Sequence, residues 1–379
     1  MSSLLVVAGE ASGDRAAAAV LGRLPGVQAF GLGGASLEGC GIELLGDLRE
    51  WTALGVGEVG ARAVGIVRSW RRVVRAVRDK RPRAALLVNY TEFNSRLAPR
   101  LQAEGVRVLW YGAPQVWAWR AGRTTALRTC VDRMAVMFPF EEPIWRTAGV
   151  DTHYVGHPAL ETEALGRGPA RTALGMTPYA AAIAILPGSR PHEVRRLLGP
   201  MLEGYERIRA DRASVDGRVL LAASLDPATR RWARAACAAG RVAAIDADPR
   251  FGATRVLRAF DVGICASGTA SLEAALAGAV PIIAYRVGLT TELTARAFLR
   301  AEHVGLPNLL LGKRAFTELL QGDVGPESIS NAVADALDRR PELLEACSQV
   351  EAAFGGQHTP SLGVARLLAP WLGLRAQAA

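Results

Sequence analysis

The chain has 379 residues, of which half are apolar and about a fifth charged. This length exceeds one ordinary core and suits two domains of average size, and the composition excludes a disordered or fibrous chain. The net charge of +9 points to an anionic partner, such as nucleic acid, a membrane surface or a phosphorylated substrate. Genomic base composition is an equal account of the arginine excess.

The opening residues, 1–8, run straight into Gly9-Glu10 with no basic leader. They read as a first strand, not as a secretion signal. No uncharged apolar run reaches the roughly 18 residues a spanning helix needs. The cysteines Cys40, Cys130, Cys237, Cys265 and Cys347 are scattered and form no CxxC pair, which suits reduced thiols in the cytosol.

Short apolar runs then alternate with longer amphipathic stretches. Residues 4–8, 84–88, 106–111, 133–137 and 153–155 read as one set of strands. Residues 181–186, 219–223, 242–245, 262–266 and 280–284 read as a second set. Continuous Val/Ile/Leu/Ala runs suit parallel sheets buried on both faces. Helical patterns lie between them, among them 12–24, 61–80 and 193–209. The βαβ rhythm occurs twice, so the expected fold class is α/β, with two doubly wound, Rossmann-like domains facing across a cleft. The expected boundaries are 1–168 and 169–354, with a polar seam near 161–178. A Gly/Pro-rich break precedes a last apolar helix in 355–379. That helix either crosses back to the first domain or caps the second.

Within the first domain, nine basic residues fall between Arg62 and Arg83, opposed only by Asp79. Val64, Val67, Trp70, Val74 and Val77 recur there at helical spacing. A basic amphipathic helix with an aromatic suits an anionic membrane surface. A sheet-packing helix with a solvated basic face accounts for much of the same pattern. The apolar run at 51–57 is placed to flank a groove for acyl chains.

Two small-residue turns in the second domain carry the chemistry. After strand 181–186 come Pro187-Gly188-Ser189-Arg190 and then a helix opening at Pro191-His192-Glu193. Gly188 admits a phosphate to the backbone, Ser189 offers a hydroxyl, and Arg190 offers a charged fork. The helix N-terminus adds N–H groups and a positive dipole end. After strand 262–266 come Ser267-Gly268-Thr269, with Glu273 one turn into the next helix, where a carboxylate can accept from ribose hydroxyls. For Glu273 the plain alternative is a first-turn acid favoured by the dipole. Two such turns in one lobe suit a single nucleotide pinched at the strand C-termini. A third turn, Gly9-Glu10-Ala11-Ser12-Gly13-Asp14, carries acids that repel phosphate. It is expected to line the opposite side, with Ser12 as helix cap.

The ordered motifs AGEASGD (8–14), QVWAWR (115–120), FPFE (138–141), VGHP (155–158), LPGSRxxEV (186–194), ASGTASLEAAL (266–276), YR (285–286) and LPNLL (306–310) resemble the lipid-A-disaccharide synthases over residues 5 to about 320. The resemblance implies a metal-free, inverting GT-B glycosyltransferase without a cofactor. Its substrates would be UDP-2,3-diacylglucosamine and 2,3-diacylglucosamine 1-phosphate, and its products UDP and a β-1,6 disaccharide. It implies a peripheral position on the cytoplasmic face of the bacterial inner membrane. It places Gly188, Ser189, Arg190, Glu193, Ser267, Gly268, Thr269, Glu273, Tyr285, Arg286 and Asn308 on the nucleotide side. One departure stands out. Where the family carries Asp-x-Pro-Asp-Phe-Asn, whose carboxylates lead as base candidates, this chain has Asn89-Tyr90-Thr91-Glu92-Phe93-Asn94. An amide cannot accept a proton at neutral pH, so the base falls to Glu92, Glu10 or Asp14, or the reaction has changed.

Three rival readings remain beside it. A UDP-sugar epimerase shares the two-lobe fold, and a non-catalytic UDP-sugar or lipid-binding relative would fit Asn89. Asp246-Ala247-Asp248 spells the DxD of metal-dependent transferases, but the βαβ context disfavours it. The histidines show no metal-ligand spacing. Partners are therefore the two lipid-linked sugars and an anionic membrane surface; a homodimer stays open, and nucleic acid is not expected.

Overall fold

The structure, a computed structural model, describes residues 3–47, 59–116, 123–212, 214–286, 303–356 and 359–378, with side chains left out at 59–63 and 123. The chain divides into two compact units. Unit 1 joins Met1–Glu161 to Gln357–Ala379, and unit 2 is Thr162–Gly356.

Unit 1 runs β1 (Ser3–Ala8), α1 (Ala11–Gly22), β2 (Gln28–Gly33), α2 (Ala35–Gly39), β3 (Glu43–Asp47), α3 (Val59–Lys80), β4 (Ala84–Val88), α4 (Thr91–Ala103), β5 (Arg107–Tyr111), α5 (Arg123–Leu127), β6 (Arg133–Val136), α6 (Glu141–Thr147) and β7 (Thr152–Tyr154). Its seven strands are parallel in the order β3-β2-β1-β4-β5-β6-β7. Helices on both faces explain why β4 is buried at every residue and why the runs do not alternate. Trp110 and Trp145 fill this core with no exposed surface.

Unit 2 runs α7 (Arg167–Ala173), β8 (Ala181–Leu186), α8 (Pro191–Asp211), β9 (Val215–Leu221), α9 (Pro227–Ala239), β10 (Ala243–Asp246), β11 (Val262–Ala266), α10 (Thr269–Leu276), β12 (Val280–Tyr285), α11 (Leu306–Leu311), β13 (Glu318–Leu320), α12 (Pro326–Asp338) and α13 (Arg340–Ala352). Its six strands are parallel in the order β10-β9-β8-β11-β12-β13. Buried Asp261, just before β11, pairs with Arg167, Arg171 and Arg340 and accepts the Ala182 N–H at 2.9 Å. That clamp fixes the N-terminal ends of β8 and β11, so their C-terminal turns are held in register.

The chain then returns to unit 1, where its last helix, α14 (Pro360–Leu372), packs. Glu161 accepts from the Ser361 N–H and hydroxyl, both at 2.7 Å. The carboxylate thereby satisfies an N–H of the first turn of α14. Arg23 Nε donates to Ser361 Oγ at 3.1 Å, and the Arg23 carbonyl accepts from Gln377 N–H at 3.0 Å. Arg23 thus bonds to the first turn of the helix and to the segment that follows it. Arg133 stacks on Trp371, 4.8 Å from the ring centre, and donates to the Leu367 carbonyl.

In each sheet the order reverses once, between β1 and β4 in unit 1 and between β8 and β11 in unit 2. Ligands of open α/β sheets bind at the C-terminal ends of strands flanking such a reversal. The motif turns after β1, β4, β8 and β11 all sit at these two points.

Helix α3 corrects one expectation. The face turned to the core is Ser69, Val73, Ala76 and Val77, all buried. Val64 and Val67 instead stand 56 % and 48 % exposed beside Arg68, Arg71 and Arg75. Helical spacing located the helix but not its rotation. The apolar run at 51–57 and residues 117–120 of QVWAWR lie outside the described residues.

Candidate active site

In unit 2, β8, β11 and β12 are neighbours, so the turns that follow them share one edge. Gly188 has φ +112°, where side chains are strained. A Cβ there would also meet Glu193 Oε2 at 2.5 Å. Glu193, in the first turn of α8, accepts the Ser189 and Arg190 N–H groups at 3.2 Å each. Its other oxygen accepts from Arg190 Nη1 at 3.3 Å. This corrects the sequence expectation in one respect. The N–H groups of Ser189 and Arg190 are spent on Glu193, so Glu193 shapes the turn. The Arg190 guanidinium remains half exposed.

The second turn is held by Ser267, whose N–H donates to the Ala284 carbonyl at 3.0 Å and whose hydroxyl donates to the Val304 carbonyl at 3.1 Å. Gly268 has φ +141°, and an added Cβ would meet nothing within 4 Å. The turn is therefore open, and the N-terminus of α10 follows it, with the Ser271 N–H donating to the Gly268 carbonyl at 3.3 Å. Thr269 begins that helix and Glu273 lies one turn on, half-buried. Glu273 is near enough to add to the burial that pushes the Cys265 thiol far up. Tyr285, the last residue of β12, has its hydroxyl raised first by burial and then by the charge of Glu193, with Arg190 opposing. The three strand ends thus bring Arg190, Glu193, Ser267 and Tyr285 to one electrostatic neighbourhood. Arg286 follows, exposed.

Asn308 is committed to the fold. It is fully buried. Its amide nitrogen donates to Phe316 O and Glu318 Oε1, both at 2.9 Å, and its oxygen accepts from the N–H groups of Ala315 and Phe316. All four of its functions are used. Buried Glu318, which the sequence did not single out, also takes the Val304 and Gly305 N–H groups. It therefore holds the carbonyl on which Ser267 rests. Only a buried acid late in the lobe, on a three-residue strand, marks it in the sequence.

In unit 1, Glu10 is exposed at the N-cap of α1. Ser12 lies inside the helix and is not the cap. Asp14 is turned away: Oδ1 accepts from Gly34 N–H at 2.6 Å and Leu37 N–H at 3.3 Å, and Oδ2 from Ser36 N–H at 2.8 Å. This buried carboxylate holds the N-terminus of α2. Asn89 follows β4 with its side-chain oxygen so close to Gly112, after β5, that a Cβ there would lie 2.1 Å from it. Glu92 is exposed in the first turn of α4. Glu10 and Asn89 therefore share the edge at the β1–β4 reversal, and Glu92 stands three residues on.

His157 is buried beside Phe138, with ring centres 5.7 Å apart, and its Nδ1 accepts the Ala159 N–H at 3.1 Å. Burial lowers its pKa to about 4. The folded value lies below the ordinary 6.5, so this stability is complete above pH 6.5 and is lost as pH falls towards 4. Between pH 6.5 and 4.5 this loss is about 2 to 3 kcal/mol. Urea unfolding midpoints are expected to fall over that window in the native protein and to flatten in His157→Gln. The DxD acids are otherwise engaged. Asp246 pairs with Arg230 and Arg234 at 2.7 and 2.6 Å, and Asp248 accepts from Arg250 and Phe251 N–H. Among the described residues no group of three or more His, Cys, Asp or Glu could hold a metal ion.

Comparison with known proteins agrees with this geometry. A family model described as lipid-A-disaccharide synthetase matches residues 4–352. The lipid-A-disaccharide synthase of Anaeromyxobacter sp. strain K is 39 % identical over 365 residues, covering 94 % of each chain. That of Myxococcus xanthus strain DK1622 is 39 % identical over 361 residues, covering 93 % of each. Among solved structures, a putative UDP-N-acetylglucosamine 2-epimerase from Listeria monocytogenes superposes with a TM-score of 0.67 at 13 % identity, covering 98 % of this chain and 96 % of that one. MurG of Acinetobacter baumannii gives 0.57 at 16 % identity, covering 97 % and 99 %. The two parallel-sheet Rossmann-like units have the GT-B fold, and the match to the synthases makes the chain a glycosyltransferase of that class. Within that class, the epimerase likeness shows the fold alone, whereas the sequence match spans nearly the whole chain. The chain belongs to the lipid-A-disaccharide synthase family.

Proposed function

We propose that this chain joins UDP-2,3-diacylglucosamine to 2,3-diacylglucosamine 1-phosphate, releasing UDP and forming a β-1,6-linked disaccharide with inversion. The observation that carries the reading is the pair of turns at the strand reversal of unit 2, in a chain 39 % identical to a named synthase over 94 % of its length. UDP departs as an anion, so its negative charge must be met where it develops. Arg190, the Ser189 and Thr269 hydroxyls and the N-terminus of α10 supply that. Glu92 is assigned as the base that takes the proton of the attacking hydroxyl. Asp14 is committed to three backbone N–H groups, and the Asn89 amide cannot accept a proton. Asn89 is assigned to orient the acceptor by hydrogen bonding. Both substrates are supplied to the purified protein and UDP is measured. Absence of UDP release would remove the transferase reading and favour the non-catalytic alternative.

The exposed face of α3 supports docking on an anionic membrane. No helix among the described residues is long and apolar enough to cross one. Val64 and Val67 present apolar surface, and Arg68, Arg71 and Arg75 make no ion pair among the described residues. Each basic residue near an anionic surface is worth about 1 kcal/mol. Changing all three to Glu is therefore expected to weaken binding to phosphatidylglycerol vesicles by at least about a hundredfold. Co-sedimentation with those vesicles, against phosphatidylcholine, checks it, and equal loss on both would contradict the electrostatic account.

A further inference from the structure

We infer that Tyr90 is a positioning residue, a wedge that holds the acceptor-side turn in a strained shape. The role in turnover rests on the proposed assignment of Asn89 and Glu92; the wedge itself rests on geometry alone.

Asn89 and Tyr90 are consecutive non-glycine residues in the left-handed region, with φ +48° and +44°. Asparagine tolerates that region, but a bulky aromatic there is an outlier. Such strain persists only where surrounding structure over-determines it, and it concentrates at functional sites. Three contacts do this here. The Tyr90 ring stacks on Phe93, with centres 5.3 Å apart and planes 14° from parallel. Phe93 in turn meets Trp70 of α3 edge-on at 5.4 Å. The ring also lies so close over Gly9 that a Cβ there would sit 2.0 Å from Tyr90 Cγ. Finally, buried Asn94 secures the turn: its N–H donates to the Tyr90 carbonyl and its amide to the Asn89 carbonyl, both at 3.0 Å.

The consequence is directional. The ring packs against both Gly9, just after β1, and Phe93 of α4, so its position is tied to both segments. With Tyr90 fixed, the preceding residue sets its side chain against Gly112, and the following turn presents Glu92 from the start of α4. The need for glycine at position 9 is then a matter of space for a ring, since Gly9 is not among the residues with positive φ.

The test is a double-mutant cycle of Gly9→Ala and Tyr90→Gly, with Tyr90→Phe as the conservative variant. Glycine accepts the left-handed region without strain, so Tyr90→Gly removes the ring and spares the backbone. In the native background Gly9→Ala is expected to lower the melting temperature by several degrees, about what overpacking costs. In the Tyr90→Gly background it is expected to cost nothing, because the obstructing ring is gone. In turnover, Tyr90→Gly is expected to lower kcat by roughly ten- to a hundredfold through misplacement, with donor KM unchanged. Tyr90→Phe retains most of the rate. Additive melting effects would overturn the wedge. A Tyr90→Phe rate as low as that of Tyr90→Gly would overturn the positioning role in favour of hydroxyl chemistry, and an unchanged Tyr90→Gly rate would also overturn it. Absence of UDP release from the native protein would instead count against the transferase reading, while the melting cycle would still decide the wedge.

Discussion

Glu92→Gln is expected to lower kcat by about 10² to 10⁴-fold, the range a positioned general base contributes, with UDP affinity unchanged. The substitution keeps size and hydrogen bonding and removes only the capacity to take a proton. Glu92 lies on unit 1, and the donor turns lie on unit 2, so the defect belongs in turnover and not in donor binding. The paired experiment is Asn89→Asp in the Glu92→Gln background. Position 89 stands at the strand reversal, packed against Gly112. If a carboxylate works from there as well, the rate recovers at least about tenfold over Glu92→Gln. Steady-state UDP release at saturating donor reads both. A Glu92→Gln enzyme with native kcat would remove Glu92 from the chemistry and leave Glu10 as the acid at that edge.

Arg190→Ala is expected to cost about 10² to 10³-fold in kcat/KM, comparable to removing one preorganised donor from a developing anion. Two effects add. The guanidinium no longer meets phosphate, and Glu193, whose outer oxygen it had paired at 3.3 Å, keeps its negative charge beside the turn. UDP inhibition should weaken in parallel, since the product carries the same diphosphate. Arg190→Lys should fall between, because a point charge replaces a planar fork. An unchanged UDP inhibition constant in Arg190→Ala would move the diphosphate off this turn.

Much of the fold was legible because buried parallel strands are written as unbroken apolar runs. That held for β1, β4, β8, β11 and β12, which line the two reversals. It failed for β2, whose QAFGLG opens on a polar residue and carries two glycines, for β3, whose ELLGD is bounded by acids, and for β13, only three residues long. Gly31 shows why glycine appears inside a strand: a Cβ there would lie 1.8 Å from the Val6 carbonyl oxygen. That is close backbone approach between neighbouring strands, and no linear pattern records it.

The sequence by itself determined the α/β class, the two doubly wound units, the position of each small-residue turn at a strand end and, through its ordered motifs, the family. These follow from local rules: side-chain period, glycine at tight turns and residue types that suit phosphate. Tertiary structure alone decided which polar residues have functions to spare. Asp14, Glu193 and Asn308 match the polar residue types of a site, yet each is bonded within the fold: Asp14 to the start of α2, Glu193 to its own turn, and Asn308 to Glu318 and the backbone before β13. Glu318, unremarked in the sequence, does the same work behind Ser267. The outward face of α3 and the wedge of Tyr90 over Gly9 were also beyond the sequence, because both depend on contacts between segments far apart in the chain.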